Sequence, residues 1–136
     1  TKFRDDKKYD CIIIDAPCSA IGTIRRNPEI FFKNKKPDFF KLDLIQKKML
    51  EKASLLLNIE GLILYMVCSF LKRETEDQIN SFLKANDNFK LYNFELKNSN
   101  DECSKLIKNN VMITLPNIIH NHNIDGYFAA YLQKIR

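Results

Sequence analysis

The sequence predicts an α/β domain built around a parallel β-sheet. Residues 11–14 and 62–67 form two continuous apolar runs, each too short for a buried helix, and the first contains three β-branched isoleucines. Between the two runs, apolar residues recur at spacings of three and four, as they do on one face of a helix. A strand, a helix and a second strand in this order predict a right-handed parallel crossover.

The first strand is expected over residues 9–16, covered on both faces by other elements. Pro17 ends it, because proline has no backbone N–H to donate to a neighbouring strand. Ligands collect beyond the carboxyl ends of parallel strands, so the position of Asp15, Cys18 and Ser19 predicts a chemical role for this turn. Asp15 taken alone is as readily a carboxylate that caps the loop backbone.

Residues 21–30 have turn signals and no sustained period, which predicts a functional surface loop. The loop carries the adjacent Arg25 and Arg26. With 22 Lys and Arg against 17 Asp and Glu, the chain has a net charge of +5, which favours a polyanionic partner. A basic chain kept soluble by its lysines accounts for the same charge, and both explanations stay open.

A helix is predicted from Pro37 to about Asn58, because proline suits a first helical turn and the acid after it complements the helix dipole. Gly61 closes this helix. Its apolar face consists of Leu42, Ile45, Met49, Ala53 and Leu56. The second strand, residues 62–67, then ends like the first in a cysteine and a serine.

A second amphipathic helix is predicted over residues 73–86, with acidic residues in its first turns. Its apolar face consists of Ile79, Phe82 and Leu83. Further strands are predicted at residues 89–96, 111–115 and 127–132, with an Asn-rich connection over 98–110. The last two strands predict an antiparallel pair that closes an edge of the sheet.

Length and composition limit the class of protein. The 136 residues suffice for one domain but are few for a cofactor enzyme with its own substrate-recognition domain. No apolar run approaches the length of a membrane span or a signal-peptide core, so a soluble, cytoplasmic protein is expected. The four cysteines form no C-x-x-C pair, which predicts free thiols, with Cys11 as a small core residue. His120 and His122 lack a third ligand, so no metal site is predicted.

Each of the first two predicted strands ends in a cysteine followed by a serine, and this is the unusual feature of the chain. If the two strands are neighbours, the thiols of Cys18 and Cys68 face one cleft. A thiolate is a strong nucleophile, and a nearby positive charge such as that of Arg25 or Arg26 lowers the pKa of a thiol. Either cysteine alone is more simply a buried structural residue, whereas the pair at equivalent strand ends favours chemistry.

Four motifs follow one another along the chain. They are Asp15-Ala16-Pro17-Cys18-Ser19, Gly22-Thr23-Ile24-Arg25-Arg26-Asn27-Pro28-Glu29-Ile30, Tyr65-x-x-Cys68-Ser69 and Asp125-Gly126-Tyr127-Phe128. In this order they resemble the RsmB/Sun (Nol/Nop/Sun) family of RNA cytosine-5 methyltransferases, over about residues 9–134. The resemblance implies a Rossmann-like class I methyltransferase fold, S-adenosylmethionine as cofactor and RNA, ribosomal RNA in particular, as substrate.

The resemblance also implies roles for individual residues. Cys68 matches the nucleophile that adds to carbon 6 of cytosine, and Cys18 matches the thiol that assists product release. Asp15 matches the acid that hydrogen-bonds or protonates the cytosine ring, and with Pro17 it would form one wall of the cofactor site. Contacts to RNA are expected from Arg25, Arg26, Ser19 and Ser69. In DNA cytosine methyltransferases the Pro-Cys thiol attacks instead, so the two thiol roles require a test.

The chain departs from the family pattern in three respects. Val67 stands where Thr is common, and Lys72 stands where Pro is usual. The three glycines are isolated, so no Gly-rich loop is present to cradle a cofactor. We therefore expect residues 1–136 to be a partial methyltransferase domain, with strands four to seven of a seven-stranded sheet and without the cofactor-binding N-terminal half. Tight binding of S-adenosylmethionine by these residues alone is not expected.

Without that half, one edge of the first strand would be unpaired and apolar. Such an edge predicts pairing with a missing N-terminal segment or self-association, and no membrane partner is expected. Two other functions stay open. A non-catalytic RNA-binding or interaction remnant of the family is favoured by the absent cofactor loop, and an unrelated thiol hydrolase is disfavoured because a well-placed histidine is lacking.

Overall fold

The computed structural model describes residues 7–34, 36–93, 105–119 and 122–136. In chain order the elements are β1 (Tyr9–Asp15), α1 (Phe39–Leu56), β2 (Leu57–Val67), α2 (Glu76–Ala85), β3 (Phe89–Leu91), β4 (Ile107–Lys108), β5 (Val111–Ile113), β6 (Asn117–Ile119), β7 (His122–Ile124) and β8 (Phe128–Lys134). Short 3-10 turns lie at Ile21–Thr23, Pro28–Phe32 and Lys72–Glu74.

Within the described residues the main sheet has the strand order β1-β2-β8-β5-β4, and β3 also pairs with β8. β1 runs parallel to β2, as the strand-helix-strand pattern predicts, and β8 runs antiparallel to β2. The predicted α/β class is confirmed. The last two predicted strands do pair antiparallel, as β5 and β8. However, β8 lies inside the sheet between β2 and β5 and does not close its edge.

α1 begins where the sequence predicts but ends earlier. The side chain of Asp38 accepts a hydrogen bond from the backbone N–H of Lys41 at 3.0 Å and caps the first turn. The helix stops at Leu56, two residues before the predicted end near Asn58, and β2 starts at the next residue, so Gly61 lies within β2 and does not close the helix. Leu57 pairs with Tyr9 across a register shift in the β1–β2 ladder, which draws this stretch into the sheet.

The buried side of α1 is turned slightly from the predicted apolar face. Gln46 and Leu50 are fully buried on this side, whereas Leu42 and Ile45 are only half-buried. Gln46 tolerates burial because its Nε2 donates to the carbonyl oxygen of Pro17 at 2.9 Å. The helix is thereby tied to the turn that follows β1.

The core lies between the sheet and the two helices. Ile63, Tyr65, Val67 and Phe128 are fully excluded from water, and the Tyr65 and Phe128 rings meet edge-on at 6.3 Å. Burying one such side chain contributes about 1.5–3 kcal/mol to stability. On α2, Ile79 and Phe82 are buried, as predicted, with Leu83 packed against them from a half-buried position. α2 begins only at Glu76, since the residues before it form the 3-10 turn.

β1 is the end strand of the sheet among the described residues, and its exposure corrects two predictions. Cys11 and Ile13 are exposed, so β1 is not covered on both faces and Cys11 is not a core residue. The alternation of side chains puts Cys11, Ile13 and Asp15 on the face away from the buried Ile14. Beside the free edge is an apolar groove of about 360 Å³, lined by β1 and by α1 residues such as Met49. The predicted unpaired, apolar edge is present in this part of the chain.

Some predictions fall partly or wholly outside the described ranges. β3 covers the beginning of the strand predicted over residues 89–96. Residues 94–104, which include Cys103, lie outside the described ranges, and so does His120. The connection predicted over 98–110 is wrong at its end, where β4 forms and pairs with β5. Of the helices described, none combines the length and apolar character that crossing a bilayer requires.

Candidate active site

β1 and β2 deliver two cysteines to one point. Asp15 pairs with Met66 in the parallel ladder, and the N–H of Ala16 donates to the Met66 carbonyl at 2.9 Å, so the strands end in register. Beyond the strand ends, the Sγ atoms of Cys18 and Cys68 lie 3.3 Å apart. The structure therefore brings together the two thiols that the sequence singles out.

A buried glutamate joins the two Cys-Ser turns. Glu74 is fully buried, and its Oε1 accepts the backbone N–H of Ser19 at 2.8 Å. Its Oε2 accepts the hydroxyls of Ser19 and Ser69, both at 2.6 Å. A carboxylate removed from water needs such donors, and bonds to a charged acceptor are stronger than neutral ones. Both serines, from which RNA contacts were expected, are thus turned towards Glu74, and Ser69 is itself fully buried.

Glu74 was not among the site residues predicted from the sequence. Its only sequence signal is a position five residues after Ser69, in an acidic stretch that also suits the start of a helix. The 3-10 turn Lys72–Glu74 points it inward instead. Its backbone carbonyl is held as well, because the buried Tyr65 hydroxyl donates to it at 2.9 Å.

The environment of Cys18 favours its protonated form. Burial raises the pKa of the Cys18 thiol to about 12, and the hydrogen bond with Cys68 acts in the same direction, while the N–H of Ala20 opposes them. Cys18 therefore keeps its proton at neutral pH. Because a thiol attacks only as the thiolate, Cys18 is poorly suited to be the nucleophile, whereas its retained proton can serve in a hydrogen bond to a neighbouring sulfur.

Two glycines bring the remaining motifs to the same place. The N–H of Gly22 donates to the carbonyl oxygen of Cys68 at 3.0 Å, and the N–H of Gly126 donates to the carbonyl of Gly22 at 2.8 Å. A Cβ on Gly22 would lie 1.9 Å from the Gly126 carbonyl oxygen, so no other residue fits this crossing without a backbone shift. All four motifs thus converge around Cys68.

Arg25 and Arg26, predicted to contact RNA, share one carboxylate. Arg25 Nη2 lies 3.2 Å from Asp125 Oδ1, and Arg26 Nε is paired with Asp125 Oδ2. The Asp125 side chain is only 8% exposed, whereas both guanidinium groups remain partly open to solvent. Asp125 thus fixes the orientation of two cations that keep surface for a further anionic partner.

Asp15 and Pro17, the predicted wall of a cofactor site, are both exposed at the end of β1. Among the described residues, no hydrogen bond or ion pair involves the Asp15 carboxylate. A free acceptor beside an apolar proline ring is chemically compatible with the amino group and the adenosyl moiety of S-adenosylmethionine. No group of three His, Cys, Asp or Glu side chains converges on a metal position in the described ranges.

Comparison with known proteins identifies the family. The model of the family described as 16S rRNA methyltransferase RsmB/F matches residues 1–133, nearly the whole chain. The chain belongs to this family. The chain is 34% identical to ribosomal RNA small subunit methyltransferase B of Shewanella oneidensis over 128 residues, which are 94% of this chain and 28% of that protein. It is 35% identical to the protein of the same name from Photorhabdus laumondii over 132 residues, or 97% of this chain and 28% of that protein.

Solved structures agree with this assignment. The chain superposes on the protein described as PH0851 with a TM-score of 0.73 and 31% identity, covering 92% of this chain and 26% of the other. It superposes on NSun6 from Pyrococcus horikoshii with SFG with a TM-score of 0.69 and 23% identity, covering 96% of this chain and 31% of the other. The predicted fold class, part of a Rossmann-like methyltransferase fold, is confirmed. The chain spans 28% of the length of the first two curated relatives.

Proposed function

We propose that this chain supplies the reacting cysteines of an RNA methyltransferase that modifies carbon 5 of cytosine. The observation that carries the proposal is the 3.3 Å contact between Cys18 and Cys68, in which burial keeps the Cys18 thiol protonated. The relatives' names favour ribosomal RNA as the substrate. Residues 1–136 then form part of a methyltransferase domain, with Asp15 and Pro17 at the wall of the cofactor site.

Cys68 is the nucleophile in this proposal. Carbon 5 of cytosine is a weak nucleophile until a thiolate adds to carbon 6, because only then does the electron pair of the 5,6 double bond become available at carbon 5. The Cys68 thiolate forms the bond to carbon 6, and Asp15 holds or protonates the ring so that it accepts this charge. S-adenosylmethionine, when bound, supplies the electrophilic methyl group.

Cys18 assists release. A water molecule takes the proton from carbon 5, and the electron pair of that C–H bond re-forms the 5,6 double bond. The bond between carbon 6 and the Cys68 sulfur then breaks, and its electron pair returns to that sulfur. The protonated Cys18 Sγ lies only 3.3 Å away and stabilises the departing Cys68 thiolate by donating a hydrogen bond to it. Glu74 supports both steps as a positioning residue, because it holds the Ser19 and Ser69 turns at a fixed separation.

Covalent trapping tests these roles. The chain, alone and joined to the N-terminal part of the Photorhabdus relative, is incubated with S-adenosylmethionine and RNA containing either cytosine or 5-fluorocytosine, and covalent protein–RNA complexes are separated by denaturing electrophoresis. With 5-fluorocytosine, which blocks release, the complex should form in the wild type and in Cys18→Ala but not in Cys68→Ala. With ordinary cytosine, Cys18→Ala should accumulate a complex that the wild type resolves.

Two results would contradict the proposal. A complex that persists in Cys68→Ala and disappears in Cys18→Ala would exchange the two roles. RNA binding without any covalent complex, in the chain and in the joined protein alike, would favour the non-catalytic RNA-binding remnant.

A further inference from the structure

Three phenylalanines beyond the active-site loop are exposed to an unusual degree. Phe31 and Phe32 in the turn Pro28–Phe32 are 66% and 83% exposed, and Phe40 in the first turn of α1 is 86% exposed. Phe82, Phe89 and Phe128 are by contrast buried in the core. Large apolar groups concentrated in one solvent-facing segment mark a binding surface more often than scattered ones do.

Cationic side chains surround these rings. Residues 25–41 contain six Lys and Arg but only two Asp and Glu. Lys33, Lys36 and Lys41 are exposed, and each lies within a few residues of an exposed phenylalanine. Aromatic faces interleaved with cations suit a partner with both flat apolar rings and negative charge.

Arg73 links this segment to the active site. Its guanidinium carbon lies 4.6 Å from the centroid of the Phe39 ring and 6.0 Å from that of Phe40. A hydrogen bond from Nη2 to Asp43 at 2.6 Å fixes this orientation and raises the pKa of Arg73, so the group stays charged. The next residue is Glu74, which is bonded to both Cys-Ser turns. The start of α1, which carries Phe40, is therefore tied through Arg73 to the adjacent Glu74, which joins the two Cys-Ser turns.

We propose that Phe31, Phe32 and Phe40, together with Lys33 and Lys41, form a stacking platform for unpaired bases of single-stranded RNA next to the target cytosine. We call these five residues the Phe/Lys platform. Each phenylalanine offers a face to a base and each lysine contacts a phosphate. The inference rests on the proposed function in placing the RNA, and it adds a binding surface outside the reacting residues.

Other partners fit this surface less well. A duplex hides the faces of its bases in the stack, so the exposed rings would gain nothing from it. A second copy of the chain would bring the lysines of two platforms together, and like charges facing each other oppose such contact. A single strand satisfies the rings and the cations simultaneously.

Binding measurements on the chain without cofactor test the platform. Fluorescence anisotropy with a labelled single-stranded RNA should show at least about tenfold weaker binding for the double variant Phe32→Ala, Phe40→Ala, the loss expected for removing base stacking. The matched control is Leu55→Ala, Ile59→Ala, whose side chains are 64% and 63% exposed. Leu55 lies about 22 Å along α1 from Phe40, and this control should bind as the wild type does.

Salt dependence separates stacking from charge. The phenylalanine variant should keep the wild-type slope of affinity against salt concentration. In Lys33→Gln, Lys41→Gln that slope should fall by about 0.7 for each phosphate that the variant no longer binds. The fully paired duplex of the same sequence should bind more weakly and should not distinguish the phenylalanine variant from the wild type.

Three results would overturn the platform. The first is wild-type RNA affinity in Phe32→Ala, Phe40→Ala. The second is an equal loss in the Leu55 and Ile59 control. The third is unchanged RNA affinity together with altered sedimentation, which would indicate a surface for another copy of the chain. Covalent trapping is a separate readout. If the chain forms the covalent complex but its RNA affinity is unchanged by the phenylalanine substitutions, the platform alone is refuted. A chain that binds RNA through the platform but forms no covalent complex would refute the proposed function alone.

Discussion

The sulfur atoms of Cys18 and Cys68 lie 3.3 Å apart although fifty residues separate them in the chain. The parallel pairing of β1 with β2 produces this contact, because both strands end at the same edge of the sheet and both continue into a Cys-Ser turn. Glu74 then holds the two turns together. The pair therefore behaves as one chemical unit.

Mild oxidation should join Cys18 to Cys68. A disulfide needs its sulfur atoms about 2.05 Å apart, so the 3.3 Å contact requires only a small movement of the two turns. Diamide would take up the two thiol protons and two electrons. Peptide mapping by mass spectrometry should find this bond before any that involves Cys11. A first disulfide that contains Cys11 would contradict the geometry, and Cys11→Ser is the control that leaves the expected bond intact.

Alkylation of Cys18 should show a displaced pH dependence. Its pKa is raised from the ordinary 9.0 to about 12, so the folded state binds the thiol proton more tightly than the unfolded chain does. At pH 9 only about one Cys18 in 1,000 is then ionised in the folded protein, against about half in the unfolded chain. Iodoacetamide labelling followed by peptide mapping should give a rate that is half-maximal near pH 9 in urea but still far below its maximum at pH 10 in buffer.

The raised pKa of Cys18 also makes the stability of the fold depend on pH. The contribution of the buried thiol is fully present below pH 9.0 and is lost as the pH rises towards about 12. Comparison of the wild type with Cys18→Ser between these limits should show the difference in unfolding free energy shrinking with rising pH. A constant difference would contradict the raised pKa.

Removal of the buried carboxylate should destabilise the fold. Glu74→Ala leaves the Ser19 N–H and the hydroxyls of Ser19 and Ser69 without their acceptor, at a cost of about 2–4 kcal/mol in unfolding free energy by urea denaturation. Glu74→Gln should cost less, since its amide oxygen still accepts one bond. Glu76→Ala is the matched control, with an expected loss below about 1 kcal/mol. Equal losses for Glu74→Ala and Glu76→Ala would show that the hydrogen bonds to the Glu74 carboxylate contribute little to stability.

The glycine crossing should be intolerant of a methyl group. In Gly22→Ala the new Cβ would lie 1.9 Å from the Gly126 carbonyl oxygen, so backbone must move and about 3 kcal/mol should be lost. Two residues earlier, Ala20 has φ 59°, which glycine adopts more easily. Ala20→Gly should therefore be neutral or stabilising by up to about 1 kcal/mol in the same denaturation assay. A Gly22→Ala protein of wild-type stability would show that the crossing is loose.

Sequence reasoning succeeded where short-range pattern decides structure. The apolar runs predict β1 and β2, and the acid of Asp38 marks the start of α1. Two strands joined by one helix are usually parallel neighbours, so the proximity of Cys18 and Cys68 was also predictable from the sequence. The chemical roles of these thiols stay predictions until they are trapped on RNA.

The remaining features depend on contacts between distant parts of the chain. Glu74 and Gln46 are polar residues on helical stretches, and only the packed structure shows that each is buried against a turn. The crossing of Gly22 with Gly126 joins residues a hundred positions apart. The exposure of Cys11 could not be foreseen from an apolar run, because that run does not reveal which elements lie on each side of it.

The junction between α1 and β2 has a consequence for substrate geometry. The helix ends at Leu56 and the strand begins at Leu57, and after a register shift that includes Glu60 at φ 68° the strand pairs continuously with β1 from Leu62 to Met66. A slip of the strand by one position against β1 and β8 would turn its core side chains outward, which forbids small adjustments along its length. Arg73 contacts the Phe40 ring and bonds to Asp43 of α1, so the start of the helix and the Cys68 turn are held at a constant spacing. If the RNA stacks on Phe40, the fold itself sets the number of nucleotides between the stacked base and the modified cytosine.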